Sequence, residues 1–276
     1  MRSSTARVLI VAGSDSGGGA GLQADLKTVT ALGGYAATAV TALTAQNTLG
    51  VAGVLPVPAA FVRQQMEVVL SDLGADAVKT GMLHDAEVVG VVADALAEAV
   101  GKRPGMPVVV DPVLVAKGGA RLLRADAERA VLERLVPLAA VVTPNAPELA
   151  ALTGLEVGTV EELEAAGRAL LARGARAVLA KGGHVPGEVV TDLLLEATGG
   201  GVMVTRFEGP RIHSRSTHGT GCTLASAVAT GLAEGRSLAE AVERARRYVR
   251  GAIERAPGFG AGHGPLAHGW TVGPLP

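Results

Sequence analysis

The chain has 276 residues and a mass of 27.6 kDa, with 25 basic and 26 acidic side chains, a net charge of −1, and one Trp, two Tyr and three Phe. Near-neutrality and so few rings exclude the basic field and stacking platforms that single-stranded nucleic acid needs. One cysteine excludes a disulfide scaffold or a multi-cysteine metal centre, and a 48% hydrophobic content excludes disorder.

Short Val/Ile/Leu/Ala runs alternate with helical patterns about 10–15 residues long, the signature of βαβ units around a parallel sheet. Val8 to Ala12 reads as a buried first strand, followed by a glycine loop and a helix over Ala20 to Leu32. Tyr35 to Leu43 is the next strand, with a short further one at Val51 to Leu55. No charge occurs between Lys27 and Arg63, but Gly33-Gly34, Gln46-Asn47, Gly50, Gly53, Pro56 and Pro58 interrupt the stretch. A membrane span needs about 20 continuous, mostly apolar residues, so strand, loop and strand fit better. Val8 to Ala12 is also too short for a signal-peptide core, and a cytoplasmic protein is expected.

Pro58 opens a helix to Leu70; a strand end at Ala77 to Thr80, a helix over Asp85 to Val100 and a strand over Pro107 to Asp111 follow. Asp126 to Leu135 is helical, Ala140 to Thr143 a strand and Pro147 to Leu152 a short helix. The second half adds a helix over Val160 to Arg173, a strand over Ala177 to Lys181 and an antiparallel hairpin of Val189 to Glu196 with Val202 to Phe207. Helices over Gly221 to Glu234 and Leu238 to Glu254 close the core. The Gly/Pro/His-rich segment 257–276 reads as a loop or loose tail, and residues 1–276 as one domain.

In parallel sheets, ligands collect at the carboxyl ends of strands. Those ends carry Gly13-Ser-Asp-Ser-Gly17, Lys79-Thr-Gly-Met82, Asp111-Pro112, Thr143-Pro-Asn145 and Lys181-Gly-Gly183. The most pointed feature is Thr217-His-Gly-Thr-Gly-Cys-Thr223, where glycines run into an apolar helix. Backbone N–H groups and the helix dipole there favour an anion, although a plain helix start packed on glycine has the same appearance. Neither the P-loop spacing nor Gly-x-Gly-x-x-Gly is present. Cys222 follows the last glycine; a helix N-terminus lowers a thiol pKa, yet a free cysteine is as often a small buried hydrophobe. Asp111 and Glu148 are the metal candidates, since carboxylates that keep water on Mg²⁺ are usual at phosphate sites. For Glu148 a capping box with Asn145 explains the residue equally well. Lys181 is placed to reach a phosphate or simply ends a strand; Asp25 sits on a helix face with Gly21; Gln46-Asn47 can read a heterocycle or order a turn.

These segments are familiar together. Ala12-Gly-Ser-Asp-Ser-Gly-Gly-Gly-Ala-Gly-Leu-Gln-Ala-Asp25, Thr41-Ala-Leu-Thr-Ala-Gln-Asn-Thr48, Lys79 to Met82, Asp111 to Gly119, Thr143 to Glu148, Lys181 to His184 and His218 to Thr223 resemble, in order, the motifs of hydroxymethylpyrimidine/phosphomethylpyrimidine kinases. The resemblance spans Val8 to His268 and implies a ribokinase-like α/β domain: a mainly parallel central sheet flanked by helices on both faces, typically dimeric. It implies ATP- and Mg²⁺-dependent phosphorylation of 4-amino-5-hydroxymethyl-2-methylpyrimidine and then of its monophosphate, for thiamine; the alternatives are a pyridoxal or pyridoxine kinase of the same fold and a non-catalytic pyrimidine-binding sensor, against which Lys181, Asp111, Glu148 and Cys222 argue. By resemblance, Gln46 binds the pyrimidine with Asp25, Gly13, Met82 and Val113. Gly219, Thr220, Gly221 and Cys222 form the anion hole, with Cys222 the base. Lys181 reaches the phosphates, Thr143, Asn145, Gly219 and Gly221 help hold the nucleotide, and Asp111 and Glu148 hold the Mg²⁺ waters.

Overall fold

The computed structural model describes residues 5–114 and 125–273. The second half of the Asp111-to-Gly119 motif, from Val115, lies outside the described residues, as do the ends of the chain.

Nine strands form one sheet among the described residues: β1 (Arg7–Asp15), β2 (Tyr35–Asn47), β3 (Gly50–Pro56), β4 (Ala77–Thr80), β5 (Val108–Val110), β6 (Val141–Val142), β7 (Ala177–Ala180), β8 (Val189–Thr198) and β9 (Gly201–Pro210). Their order is β3-β2-β1-β4-β5-β6-β7-β8-β9. Strands from β2 through β7 pair in parallel, while β3 at one edge and the β8–β9 hairpin at the other are antiparallel. The charge-free stretch is thus β2, a turn and β3.

The central strands are buried on both faces, which is why they read as unbroken apolar runs. In β1, Leu9 and Val11 enter one core and Val8, Ile10 and Ala12 the other; in β5, Val108 and Val110 face one way and Val109 the opposite. On the first face lie α2 (Ala59–Asp72), α3 (Ala86–Lys102), α4 (Ala125–Ala130), α5 (Ala146–Thr153) and α6 (Val160–Ala172). The second carries α1 (Gly21–Ala31), α7 (Thr220–Ala233) and α8 (Leu238–Glu254).

Two sequence expectations are corrected. The helix expected over Asp126 to Leu135 is α4 followed by a π turn at Val131–Leu135 and a 3₁₀ turn at Val136–Leu138. Pro137 accounts for the change: it has no N–H to donate and its ring crowds the preceding turn. The expected loose tail is docked as far as it is described. Leu266 and His268 are buried, the His263 amide donates to Thr48 O (2.9 Å), and Trp270 donates through its indole to Tyr248 O (3.1 Å). Gly251 makes room for that indole, since a Cβ there would lie 2.5 Å from the ring. Burial lowers the His268 pKa to about 4, so the ring is neutral where it meets Thr223 Oγ1 at 3.0 Å.

Candidate active site

The helices of this fold start in two ways. Asp85 accepts from the Val88 amide at α3, and Asn145, Thr159 and Ser237 form capping boxes at α5, α6 and α8. Helices α1 and α2 have no side-chain cap, and neither has α7. Its Gly219 sits at φ 80° against Gly19, and a Cβ would lie 1.9 Å from Gly19 O, so only glycine fits. An uncapped N-terminus leaves amide donors open to an anion.

These amides open onto a cavity of about 720 Å³ at the carboxyl ends of the parallel strands. Gly13, Gln46, Met82, Val113, Asp111, Asn145, Glu148, Lys181, Gly219, Thr220, Gly221 and Cys222 all line it. A second cavity of about 350 Å³ adjoins it and shares Asn145, Lys181, Thr220 and Gly221. Its remaining lining mixes the aliphatic Val190, Ile212, Leu224, Val249 and Ile253 with Asp192, Arg211, Arg246 and Arg250.

Lys181 stands at the junction. Its Nζ is 3.0 Å from Asp111 Oδ1 and 3.8 Å from Glu148 Oε2, and a Cβ on Gly221 would come within 3.1 Å of it. Burial alone would lower the Lys181 pKa, but Asp111 and Glu148 outweigh it and keep the ammonium charged. Asp111 is held below the usual carboxylate range because Lys181 and Lys79 overcome the cost of its burial. Glu148 differs: burial dominates and pushes it up to about 7. Its carboxylate also accepts from the Asn145 amide (2.8 Å), so the expected capping box is present in a residue that also lines the cavity.

Of the carboxylates on the wall, Asp15, Asp111, Glu128 and Glu148, the two beside Lys181 are Asp111 and Glu148, and among the described residues no group of three or more His, Cys, Asp or Glu is placed to hold a metal by itself. Mg²⁺ commonly takes one or two carboxylates, several waters and substrate phosphates, so this donor set fits Mg²⁺ arriving with a nucleotide.

Three assignments change. Asp25, assigned to the pyrimidine, is fully buried off the cavity, where it accepts from Lys79 Nζ (3.0 and 2.9 Å) and from Ser226 Oγ (2.7 Å). A helix face shared with Gly21 gave no sign that Lys79 would reach it from β4. Thr143, assigned to the nucleotide, is also fully buried and lines neither cavity; its hydroxyl donates to Asp111 Oδ1 (2.8 Å). The thiol of Cys222 is not depressed by its helix N-terminus: burial pushes it up to about 12, with Lys79 only partly opposing.

Further polar cavity residues were given no role from sequence, among them Asp15, Thr44, Lys79, Glu128, His184, His218 and His263. Lys79 had a signal, a charge inside the apolar run Ala77-Val-Lys-Thr80. Of the amide pair, Gln46 lines the cavity, while Asn47 Oδ1 accepts from the Leu49 amide and orders the turn.

The family model for phosphomethylpyrimidine kinase matches residues 15–267. The chain belongs to that family. It is 50% identical to a Streptomyces coelicolor hydroxymethylpyrimidine/phosphomethylpyrimidine kinase, over 96% of this chain and 95% of the relative. It is 54% identical to the thiamine biosynthesis bifunctional protein ThiED of Geobacter sulfurreducens over 95% of this chain, and spans about half (52%) of that longer protein. Among solved structures, the pyridoxal kinase of Staphylococcus aureus in complex with AMP-PCP superposes with a TM-score of 0.86 at 34% identity, covering 96% of this chain and 94% of that one. The fold is thus ribokinase-like, as the motifs implied, and the phosphomethylpyrimidine kinase family makes this chain a phosphotransferase.

Proposed function

We propose that the chain phosphorylates 4-amino-5-hydroxymethyl-2-methylpyrimidine and then its monophosphate, using ATP, in the formation of thiamine. The observation that carries this reading is Lys181, held by two carboxylates at the junction of two cavities and beside an uncapped helix. That arrangement suits phosphoryl transfer, which needs positioning and charge stabilisation more than covalent chemistry.

The larger cavity takes the pyrimidine. Gln46 reads its polar edge, and Gly13, Met82 and Val113 shape the walls; a Cβ on Gly13 would lie 2.7 Å from Met82 Cε, so glycine is needed for Met82 to pack there. The smaller cavity takes adenosine against its aliphatic side, with Asn145 and Lys181 at the phosphates. Amides of Gly219, Thr220 and Gly221 receive the transferred group. Asp111 and Glu148 hold the waters of Mg²⁺, which when bound neutralises phosphate charge. Asp25 and Thr143 serve this site at one remove, through Lys79 and Asp111.

Cys222 faces the reacting hydroxyl. With its thiol up at about 12, it meets that hydroxyl as a neutral S–H and orients it. A loose transition state asks for little prior deprotonation, so a resting thiolate is not required.

The exposed apolar side chains Leu43, Val54, Leu55 and Phe61, on β2, β3 and α2, support a homodimer joined at this edge of the sheet. Among the described residues no helix is long and apolar enough to cross a membrane, in keeping with a cytoplasmic kinase.

Pyridoxal kinase is the second reading, favoured by the likeness to the Staphylococcus aureus enzyme. Measured kcat/KM with ATP and Mg²⁺ for the pyrimidine, its monophosphate and pyridoxal separates the two. Both pyrimidines are expected to turn over well and pyridoxal poorly. Failure to phosphorylate the monophosphate would sink the two-step reading.

A further inference from the structure

Gln46 is pinned by its backbone: Ser16 Oγ donates to its carbonyl (2.9 Å) and accepts from its amide (2.8 Å). Its side-chain amide lies between His218 Nε2, 3.0 Å from one end, and Thr44 Oγ1, 3.3 Å from the other. Which end is nitrogen follows from the neighbours.

Asp15 Oδ2 lies 2.9 Å from the same His218 Nε2 and accepts from the Gly19 (3.0 Å) and Ala20 (2.8 Å) amides; Oδ1 accepts from the Gly17 amide (2.8 Å). Burial alone would raise this carboxyl, but the hydrogen bonds from His218 and the backbone outweigh it and keep it ionised. An ionised carboxylate only accepts, so Nε2 carries a proton. With the Gln46 nitrogen toward His218, two N–H groups would oppose each other. Thr44 has meanwhile given its hydroxyl proton to Ser14 O (2.8 Å) and can only accept. Placing the amide oxygen toward His218 and the nitrogen toward Thr44 removes that clash: the single Nε2–H is shared between Asp15 Oδ2 and the amide oxygen, and the amide nitrogen donates to Thr44 Oγ1.

We propose that His218, backed by Asp15, is a positioning residue that fixes the Gln46 amide in this orientation, so that the cavity selects a ring nitrogen flanked by an exocyclic amino group. So held, the amide has one N–H and one carbonyl lone pair left for the cavity. The N–H meets a ring-nitrogen acceptor, and the lone pair meets the amino donor beside it. A pyridine with no amino group on the carbons beside its nitrogen supplies the acceptor without that donor, and loses the second bond. The selection rests on the pyrimidine reading above.

His218 is itself held from two sides. A Cβ on Gly19 would lie 2.6 Å from its ring, so that glycine makes its seat. From the docked C-terminal segment, Gly264 O accepts from the His218 amide (3.1 Å) and Pro265 bridges it.

Calorimetric titration with the aminopyrimidine and with its analogue lacking the 4-amino group tests this. His218→Ala is expected to weaken the aminopyrimidine roughly tenfold and the deamino analogue less than about twofold, the size of one well-placed hydrogen bond. His218→Gln, which restores an N–H at similar reach, should recover most of the loss, and Thr44→Val should reproduce it without touching the histidine. In a Gln46→Ala background, His218→Ala should add nothing. Equal weakening of both ligands, or an undiminished effect without Gln46, overturns the proposal while leaving the pyrimidine site intact. If Gln46→Ala alone leaves aminopyrimidine affinity unchanged, the pyrimidine site itself is misplaced and the proposal falls with it.

Discussion

Two buried lysines lie at the floor of the same cavity, and they are built differently. Lys79 reaches both oxygens of one carboxylate, Asp25, at 3.0 and 2.9 Å, and Ser226 donates to that carboxylate as well. Lys181 has one close partner, Asp111 at 3.0 Å, and a distant one, Glu148 at 3.8 Å. Burial and charge are common to both, so neither separates the role proposed for Lys181 from that of a structural lysine. The pairing does: Lys79 gives two of its three donors to one carboxylate that Ser226 also saturates, whereas Lys181 has one close bond and keeps its other donors at the junction of the two cavities.

The largest effect expected from this contrast is on stability. Lys79→Met leaves Asp25 buried without its partner, which costs about 3–5 kcal/mol, whereas removing both charges of a buried pair is often neutral. Denaturant unfolding should therefore show a large loss for Lys79→Met and substantial recovery for Lys79→Met with Asp25→Leu. A small loss for the single variant would mean that the pair is not a closed structural unit.

Lys181→Ala should act on rate more than on stability. Removing a charge aimed at the transferring group costs roughly 10²–10³ in kcat, and Arg cannot replace the compact ammonium beside Gly221. Steady-state kinetics with denaturant unfolding in parallel decide it. A loss below about fivefold would place Lys181 with Lys79 as a structural charge.

The two lysines also mark how far the sequence could be read. Strands buried on both faces announce themselves as apolar runs, and the first polar residue after each run, Asp111 after Val110 or Lys181 after Ala180, is where ligands gather. Pairing between such residues leaves no trace in a single chain. Asp25 and Thr143 sat beside the right motifs, yet they point at Lys79 and Asp111 rather than into a cavity. The open start of helix α7 was legible from its glycines, but the field of a helix end could not be weighed against burial, and so the thiol moved the opposite way. The docked C-terminal segment has no periodicity to read: single contacts, such as Trp270 on Gly251, hold it.

The looseness of the Lys181 cluster has a signature in pH. Glu148 stands near 7 in the folded protein against 4.5 for an ordinary glutamate. A carboxyl raised in the folded state stabilises while both states are protonated, and that contribution is lost as pH climbs from 4.5 through 7, then levels off. Against Glu148→Gln, which cannot ionise, the melting temperature of the ligand-free protein should fall over that window and run parallel above it. Mg²⁺ binding in the presence of nucleotide should tighten over the same range. Parallel melting curves throughout would show that Lys181 holds Glu148 ionised, and that the cluster is as saturated as the Lys79 pair.

The smallest effect is expected at Cys222, which feels both lysines' carboxylate partners. The fixed charge of Lys79 favours a thiolate, but burial and the carboxylates of Asp25 and Asp111 oppose it, leaving the thiol at about 12. At neutral pH the thiolate is then roughly one part in 10⁵, a deficit of about 7 kcal/mol for any route that requires it. If the group only orients the hydroxyl, Cys222→Ser should keep kcat within about threefold, Cys222→Ala should lower it about tenfold with nucleotide affinity unchanged, and the rate should plateau above pH 8. A thiolate base predicts the reverse: kcat rising tenfold per pH unit through 9 in the parent protein, and collapse on Cys222→Ser, whose hydroxyl is harder still to ionise. The slope of that profile reports whether Lys79 acts on the chemistry or only beneath it.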